Sequence, residues 1–144
     1  MTTTGLDAID KTIHKTNTLL KQIETELGWE NQRNMSYAVF RAVLHALRDR
    51  LTVQEAADLA AQLPLLVQGI FYDGWNPSSV PKKIHKDEFL EEIRKNFTFS
   101  IDRSINEVVI VVLSVLRKHV SEGELEDVLS VLPKDLSSML KQLE

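Results

Sequence analysis

Apolar residues recur along this chain at steps of three and four, with polar residues filling the gaps between them. Leu6, Ile9, Ile13, Leu20, Ile23 and Leu27 make one stripe and predict a first helix over 6–27. A second is expected over 36–50, with Tyr37, Phe40, Val43, Leu44 and Leu47 facing inward. Thr52 and Glu55 have the spacing of a capping box, in which hydroxyl and carboxylate each satisfy an orphan backbone N–H. That starts a short third helix through 62. Pro64 suits the first turn of a fourth helix, which runs to Tyr72. Asp73 and Gly74 should end it, with Gly74 free to take a positive φ. Pro77 and Pro81 then predict an extended segment.

Further helices are expected over 87–97 and 104–119, from Ser121, capped with Glu124, and from Pro133 to Leu143. The run VVIVVL, Val108 to Leu113, is rich in β-branched residues that also suit a buried strand. It continues without a breaker into SVLRKH, so it reads as helix. Being apolar on nearly every side, it should be the central rod of the fold.

The chain also resembles itself. Ala42 to Pro64 matches Val111 to Pro133 when shifted by 69 positions. Leu44, Leu47, Arg48, Thr52, Glu55, Asp58 and Pro64 fall on Leu113, Leu116, Arg117, Ser121, Glu124, Asp127 and Pro133. The expected fold is therefore all-α. One domain over 1–144 would hold a bundle of about eight helices, made of two pseudo-twofold related four-helix repeats at 6–72 and 87–143, joined by a linker over 73–86.

Composition narrows the function. The 144 residues contain no cysteine and carry a net charge of −4. The acidic balance argues against nucleic acid, which needs a concentrated basic face. The run Lys82, Lys83, Lys86 with His85 is too short to reverse that. The opening MTTTGLDAIDKTIHK lacks the apolar core of a signal peptide, and the longest apolar run is too short for a bilayer. The expectation is a cytoplasmic protein with no membrane contact. There is no Gly-rich phosphate loop, and His14, His45, His85 and His119 lie on separate elements, away from metal-ligand spacing. No cofactor, metal or catalytic residue is nominated; whether the protein is an enzyme stays open, with the balance against.

Polar residues shared by both halves read as scaffold. Arg48 with Asp58, and Arg117 with Asp127, are expected to bridge neighbouring helices. Differences between the halves are more informative. Tyr37, Arg41, His45 and Arg48 form one polar stripe, and Ile110 and Ser114 stand where Arg41 and His45 would be repeated. Such a stripe suits an anion or a partner's carboxylate, or else simply faces water. Tyr72, Asp73, Gly74 and Trp75 have no counterpart at all. Trp75 is either a plug over the seam between the halves or an anchor for a partner.

The run YAVFRAVLHALRDRLTVQEAADLAAQLPLLVQGIFYDGW, followed by HKDEFLEEI, resembles the bacterial domain of unknown function family numbered 2267. The resemblance spans nearly the whole chain. It implies a small, stand-alone, all-helical bacterial protein and transfers no catalytic residue. It draws attention to Arg41, His45, Tyr72, Gly74 and Trp75, which lie in the family-like stretch. The expected function is a non-enzymatic protein-interaction or regulatory module, with Tyr72 and Trp75 as apolar anchors and Arg41 and His45 as polar contacts. The expected partner is a protein, with a homodimer as one arrangement. The alternative is a small anionic-ligand binding protein or enzyme with its pocket between the repeats.

Overall fold

The computed structural model describes residues 4–135, 137 and 138. They form seven α-helices: α1 (Asp7–Leu27), α2 (Arg33–Arg50), α3 (Val53–Ala60), α4 (Leu65–Tyr72), α5 (Lys86–Arg94), α6 (Ile105–Arg117) and α7 (Glu122–Val131). No strand occurs among the described residues, so VVIVVL is helical as the pattern required. The eighth predicted helix falls largely outside the described residues.

The centre is shared rather than held by one rod. α2 packs on α1, α4, α5 and α6, while α6 packs on α1, α2 and α5. Val39, Phe40, Val43, Leu44 and Leu47 of α2 are fully buried, as are Val108, Val109, Val112 and Val115 of α6. These join buried residues of the other helices in one contiguous apolar core. α3 packs against α7, away from that centre.

Two predicted inward faces are turned. Leu6 is 63% exposed and Tyr37 is 40% exposed. In the first half of α1 the buried residues are Thr12 and Thr16, while Ile9 and Ile13 are half-buried. The reason lies in α4. Helix N-termini leave N–H groups without partners, and the Leu66 N–H of α4 donates to Thr12 Oγ1 at 2.8 Å. The Thr16 hydroxyl donates to Thr12 O at 2.7 Å, anchoring the same face. α1 turns a hydroxyl inward there because its neighbour needs an acceptor.

Local caps follow the sequence closely. Thr52 N–H donates to Glu55 Oε1 at 2.9 Å, and Glu55 N–H to Thr52 Oγ1 at 3.2 Å, so the capping box of α3 is complete. Ser121 Oγ accepts from the Glu124 N–H at 3.4 Å. Gly28 takes φ 69°, and the N–H groups of Gly28 and Trp29 donate to Thr25 O and Glu24 O, which is a Schellman end for α1. Gly74 takes φ 79° just past α4. Pro64 sits one residue before α4 rather than in its first turn. The 77–81 segment is not wholly extended, because Pro77–Ser79 forms one 3₁₀ turn capped by Asn76.

Distant caps do not follow the sequence. Arg48 is 5% exposed, and its predicted bridge to Asp58 does not form. Its Nε donates to Asp49 Oδ1 at 2.9 Å, and its Nη1 to Phe71 O at 3.0 Å and Asp73 O at 2.9 Å. Asp58 instead accepts from Gln54 Nε2 at 2.9 Å. The guanidinium therefore caps the C-terminal end of α4, where helix carbonyls lack partners and the dipole is negative. Arg103 does the same for α1, donating from Nη2 to Leu27 O at 2.7 Å. Arg50 donates from Nε and Nη2 to Val131 O, at 3.1 and 2.6 Å, at the end of α7. The duplication remains a reading of the sequence, since the contacts of Arg48 follow α4 rather than the 69-residue register.

Where α3 meets α7, Asp58 lies near Glu124. Burial, with Asp58 and Asp127 nearby, raises the Glu124 carboxyl above its usual range. A carboxyl raised on folding binds its proton more tightly in the folded chain. Its charge therefore costs stability above the folded pKa, and stability is regained as pH falls through that value. Glu124→Gln should raise the urea midpoint at pH 7 and do less at pH 4. An equal effect at both pH values would contradict this assignment.

Arg48→Met should lower stability by about 2–3 kcal/mol, because it strands the buried Phe71 O and leaves the partly accessible Asp49 carboxylate and Asp73 O to water. Arg48→Lys should recover only part of this, since one ammonium cannot reproduce the planar fork. Urea unfolding followed by circular dichroism measures both, and a loss for Arg48→Met under about 1 kcal/mol would show the cap to be dispensable.

Candidate functional site

The four residues read from the sequence meet at one corner, where α2 receives the end of α4. Arg41 Nη2 lies 2.8 Å from Asp73 Oδ2 in a largely exposed ion pair. His45, one turn further along α2, is half-buried, and its Nε2–H donates to Ile70 O at 2.7 Å. Arg48 takes the next carbonyls, so three successive side chains of α2 bind the last turn of α4. Tyr72 packs edge-on to Phe71 at 5.3 Å between ring centroids. Trp75 lies on Tyr72 at 5.4 Å, tilted by 43°. Trp75 is half-buried against the core, and its indole Nε1 is buried without a hydrogen-bond partner.

Arg41 and His45 are thus engaged in fixing α4. Trp29 is the more deeply buried of the two tryptophans, at 5% exposure. Trp29 Nε1 donates to Asp102 Oδ1 at 3.3 Å, and Phe99 meets the indole edge-on at 6.3 Å. Phe97 stacks on Phe99 at 4.9 Å, closing the loop between α5 and α6 over the end of α1.

The fixed α4 presents an apolar outer strip that the sequence reading missed. Leu65, Gly69 and Tyr72, and Leu66, Ile70 and Asp73, step by four and three along one side. Leu65 is 60% exposed and Leu66 41%, Ile70 and Tyr72 are half-buried, and Gly69 is open. A Cβ added at Gly69 would touch nothing within 4 Å, so the strip is notched at its middle. Val67 and Phe71 face the opposite way and are fully buried. The signal was present in LLVQGIFY, an eight-residue helix with six large apolar side chains and only one side to bury.

A second feature is a cleft of about 830 Å³ between the α2–α3 corner, the segment leading into α5, and the end of α7. It is lined by residues other than Arg41 and His45; Arg50, Lys83, Lys86 and Lys134 supply its cations. The sequence offered a clue to Arg50, because its register partner is His119. Among the described residues no group of three or more His, Cys, Asp or Glu is placed to hold a metal ion. None of the described helices is long and apolar enough to cross a membrane.

Burial lowers the His45 pKa from its ordinary value near 6.5; the bond to Ile70 O opposes this, and Arg48 and Arg41 reinforce it. His119 is lowered as well, by burial and then by Lys118. A depressed folded pKa means that the unfolded chain takes up the proton first. The stability these groups contribute is full above pH 6.5 and is lost as pH falls through the folded values. In His45→Gln, whose amide can still reach Ile70 O, the urea midpoint should fall less between pH 7 and pH 5 than in the wild type. His119 should account for part of the remaining slope. An unchanged slope would remove His45 from this role.

No curated protein matches the chain. The model of one family, described as an uncharacterised conserved protein and numbered DUF2267, matches residues 16–139. A match over so much of the sequence, on a body that is helical throughout its described residues, places this chain in the DUF2267 family.

Proposed function

We propose that the protein is a non-enzymatic interaction module whose docking face is the outer strip of α4, and that a second copy of the chain covers it. The observation that carries this reading is the exposure of Leu65 and Leu66 beside half-buried Ile70 and Tyr72 on a helix pinned at both ends. Apolar side chains gathered on one exposed face favour burial by a partner. Rigidity favours it too, because a strip held by Thr12, His45 and Arg48 loses little conformational freedom on docking.

The strip also suits its own copy. An isologous contact needs a self-complementary surface. Here one cation, Arg41, and one anion, Asp73, sit side by side at the edge of a neutral apolar face. The missing side chain at 69 lets a second α4 come close to this face. In this arrangement Tyr72 and Trp75 supply apolar area at the rim, while Arg41 and His45 hold the face in place.

Sedimentation equilibrium tests the reading. The wild type should dimerise with a Kd in the micromolar range, roughly −8 kcal/mol. Leu66→Asp should weaken this at least tenfold while leaving the circular dichroism spectrum intact, because Leu66 faces water in the single chain. A wild type that stays monomeric at millimolar concentration overturns the proposal, as does a Leu66→Asp dimer of unchanged affinity.

A further inference from the structure

Among the described residues, several arginines lie beside carboxylates. Arg33 reaches Glu24 at 3.2 Å, Arg41 reaches Asp73 at 2.8 Å, Arg48 reaches Asp49 at 2.9 Å, and Arg103 lies 3.5 Å from Asp102. Arg50 differs. Its Nε and Nη2 donate to Val131 O, its Nη1 to Lys82 O, and its described contacts include no carboxylate within ion-pair distance. The three bonds fix the plane of the guanidinium without neutralising it. One N–H on each Nη is left over.

Arg50 lines the 830 Å³ cleft, together with Lys83, Lys86 and Lys134. None of these three lysines has an ion-pair partner among the described residues, whereas Lys11, Lys95 and Lys118 each do. The first turns of α3 and α5 also border the cleft through Thr52, Glu55, Lys86 and Asp87. Of the acidic side chains there, Glu55 is held by the Thr52 N–H. Asp87 and Asp135 are exposed. The rest of the wall holds His85 and Ser130 and an apolar stretch made by Ile84, Val131 and Leu132 with the prolines at 81 and 133.

From this juxtaposition of a fixed, un-neutralised guanidinium with three unpaired lysines and an apolar wall, we infer that the cleft is a binding site for a small organic phosphate. The phosphate oxygens take the two spare N–H groups of Arg50, a planar donor pair suited to that geometry. Lys83, Lys86 and Lys134 add mobile charge around them. The organic body lies against Ile84, Val131 and Leu132. A cleft of this volume matches the size of ordinary small-molecule sites. The bound ligand would touch the α2–α3 corner, the segment before α5 and the end of α7 together. It is separate from the α4 strip and does not depend on dimer formation.

The test is a titration followed by amide chemical shifts, at constant ionic strength, with inorganic phosphate and phenyl phosphate as probes. Both should give saturable shifts at residues 52–55, 83–87 and 130–135. Phenyl phosphate should bind roughly tenfold more tightly, about 1.4 kcal/mol, because the ring covers apolar wall. Lys83→Gln/Lys134→Gln should weaken both probes at least fivefold while keeping the fold, since both lysines are exposed and unbonded. Arg50→Lys, which risks loosening α7, serves only as a second variant, and its folding is checked first. Linear shifts without saturation, or equal shifts at Lys15 and Lys21, would mean diffuse charge attraction and overturn the site. Unchanged affinity in the double lysine variant overturns it too, and equal affinity of the two probes removes the organic body from the proposal.

Discussion

Several helix ends in this protein are closed by side chains from other elements, and the architecture depends on that exchange. An α-helix leaves four carbonyls without partners at its C-terminus. In an all-helical chain with short helices, such ends make up a large share of the backbone. Here Arg48 and His45 close α4, Arg50 closes α7 and Arg103 closes α1. Thr12 supplies the reverse service at the start of α4. Each bond satisfies a group that would otherwise be stranded, and each joins two elements at a defined point. Apolar packing alone tolerates sliding, whereas these directional bonds fix the register of one helix against the next.

The last turn of α2 is where this exchange is densest. Residues two apart on a helix point to nearly opposite sides. Arg48 therefore reaches α4 while Arg50 reaches α7 and Lys82. The main chain contributes as well, since the Lys82 N–H donates to Asp49 O at 2.6 Å. One turn of helix thus sets both the pose of the α4 strip and the walls of the cleft. The two candidate surfaces share a support without sharing residues.

How much of this was legible in the sequence depends on the range of the interaction. Local rules worked well. The Thr52–Glu55 box, the stop at Gly74 and the helical state of Val108–Leu113 follow from near neighbours in the chain. Inward faces were less reliable. Tyr37 and Leu6 sit at ideal helical spacing yet face water, and Thr12 and Thr16 are buried in place of bulkier apolar neighbours. Periodicity fixes that a helix has two sides but leaves the choice to whatever packs against it. The partner of Arg48 was illegible for a related reason. Its acceptors are main-chain carbonyls, which every residue carries, so no side-chain pattern announces them. The corner that gathers Arg41, His45, Tyr72 and Trp75 was found through their lack of counterparts, but the lysines around the cleft looked like ordinary solubilising charge.

The segment after α4 carries a consequence for how the chain can be handled. Asn76 to Ser79 are exposed and form only a single 3₁₀ turn. On either side the backbone is tied down, by Trp75 against Tyr72 and by Lys82 on Asp49. The turn itself contributes little to the packing, because its side chains are exposed. That turn is accordingly the place where the chain should best tolerate an inserted segment.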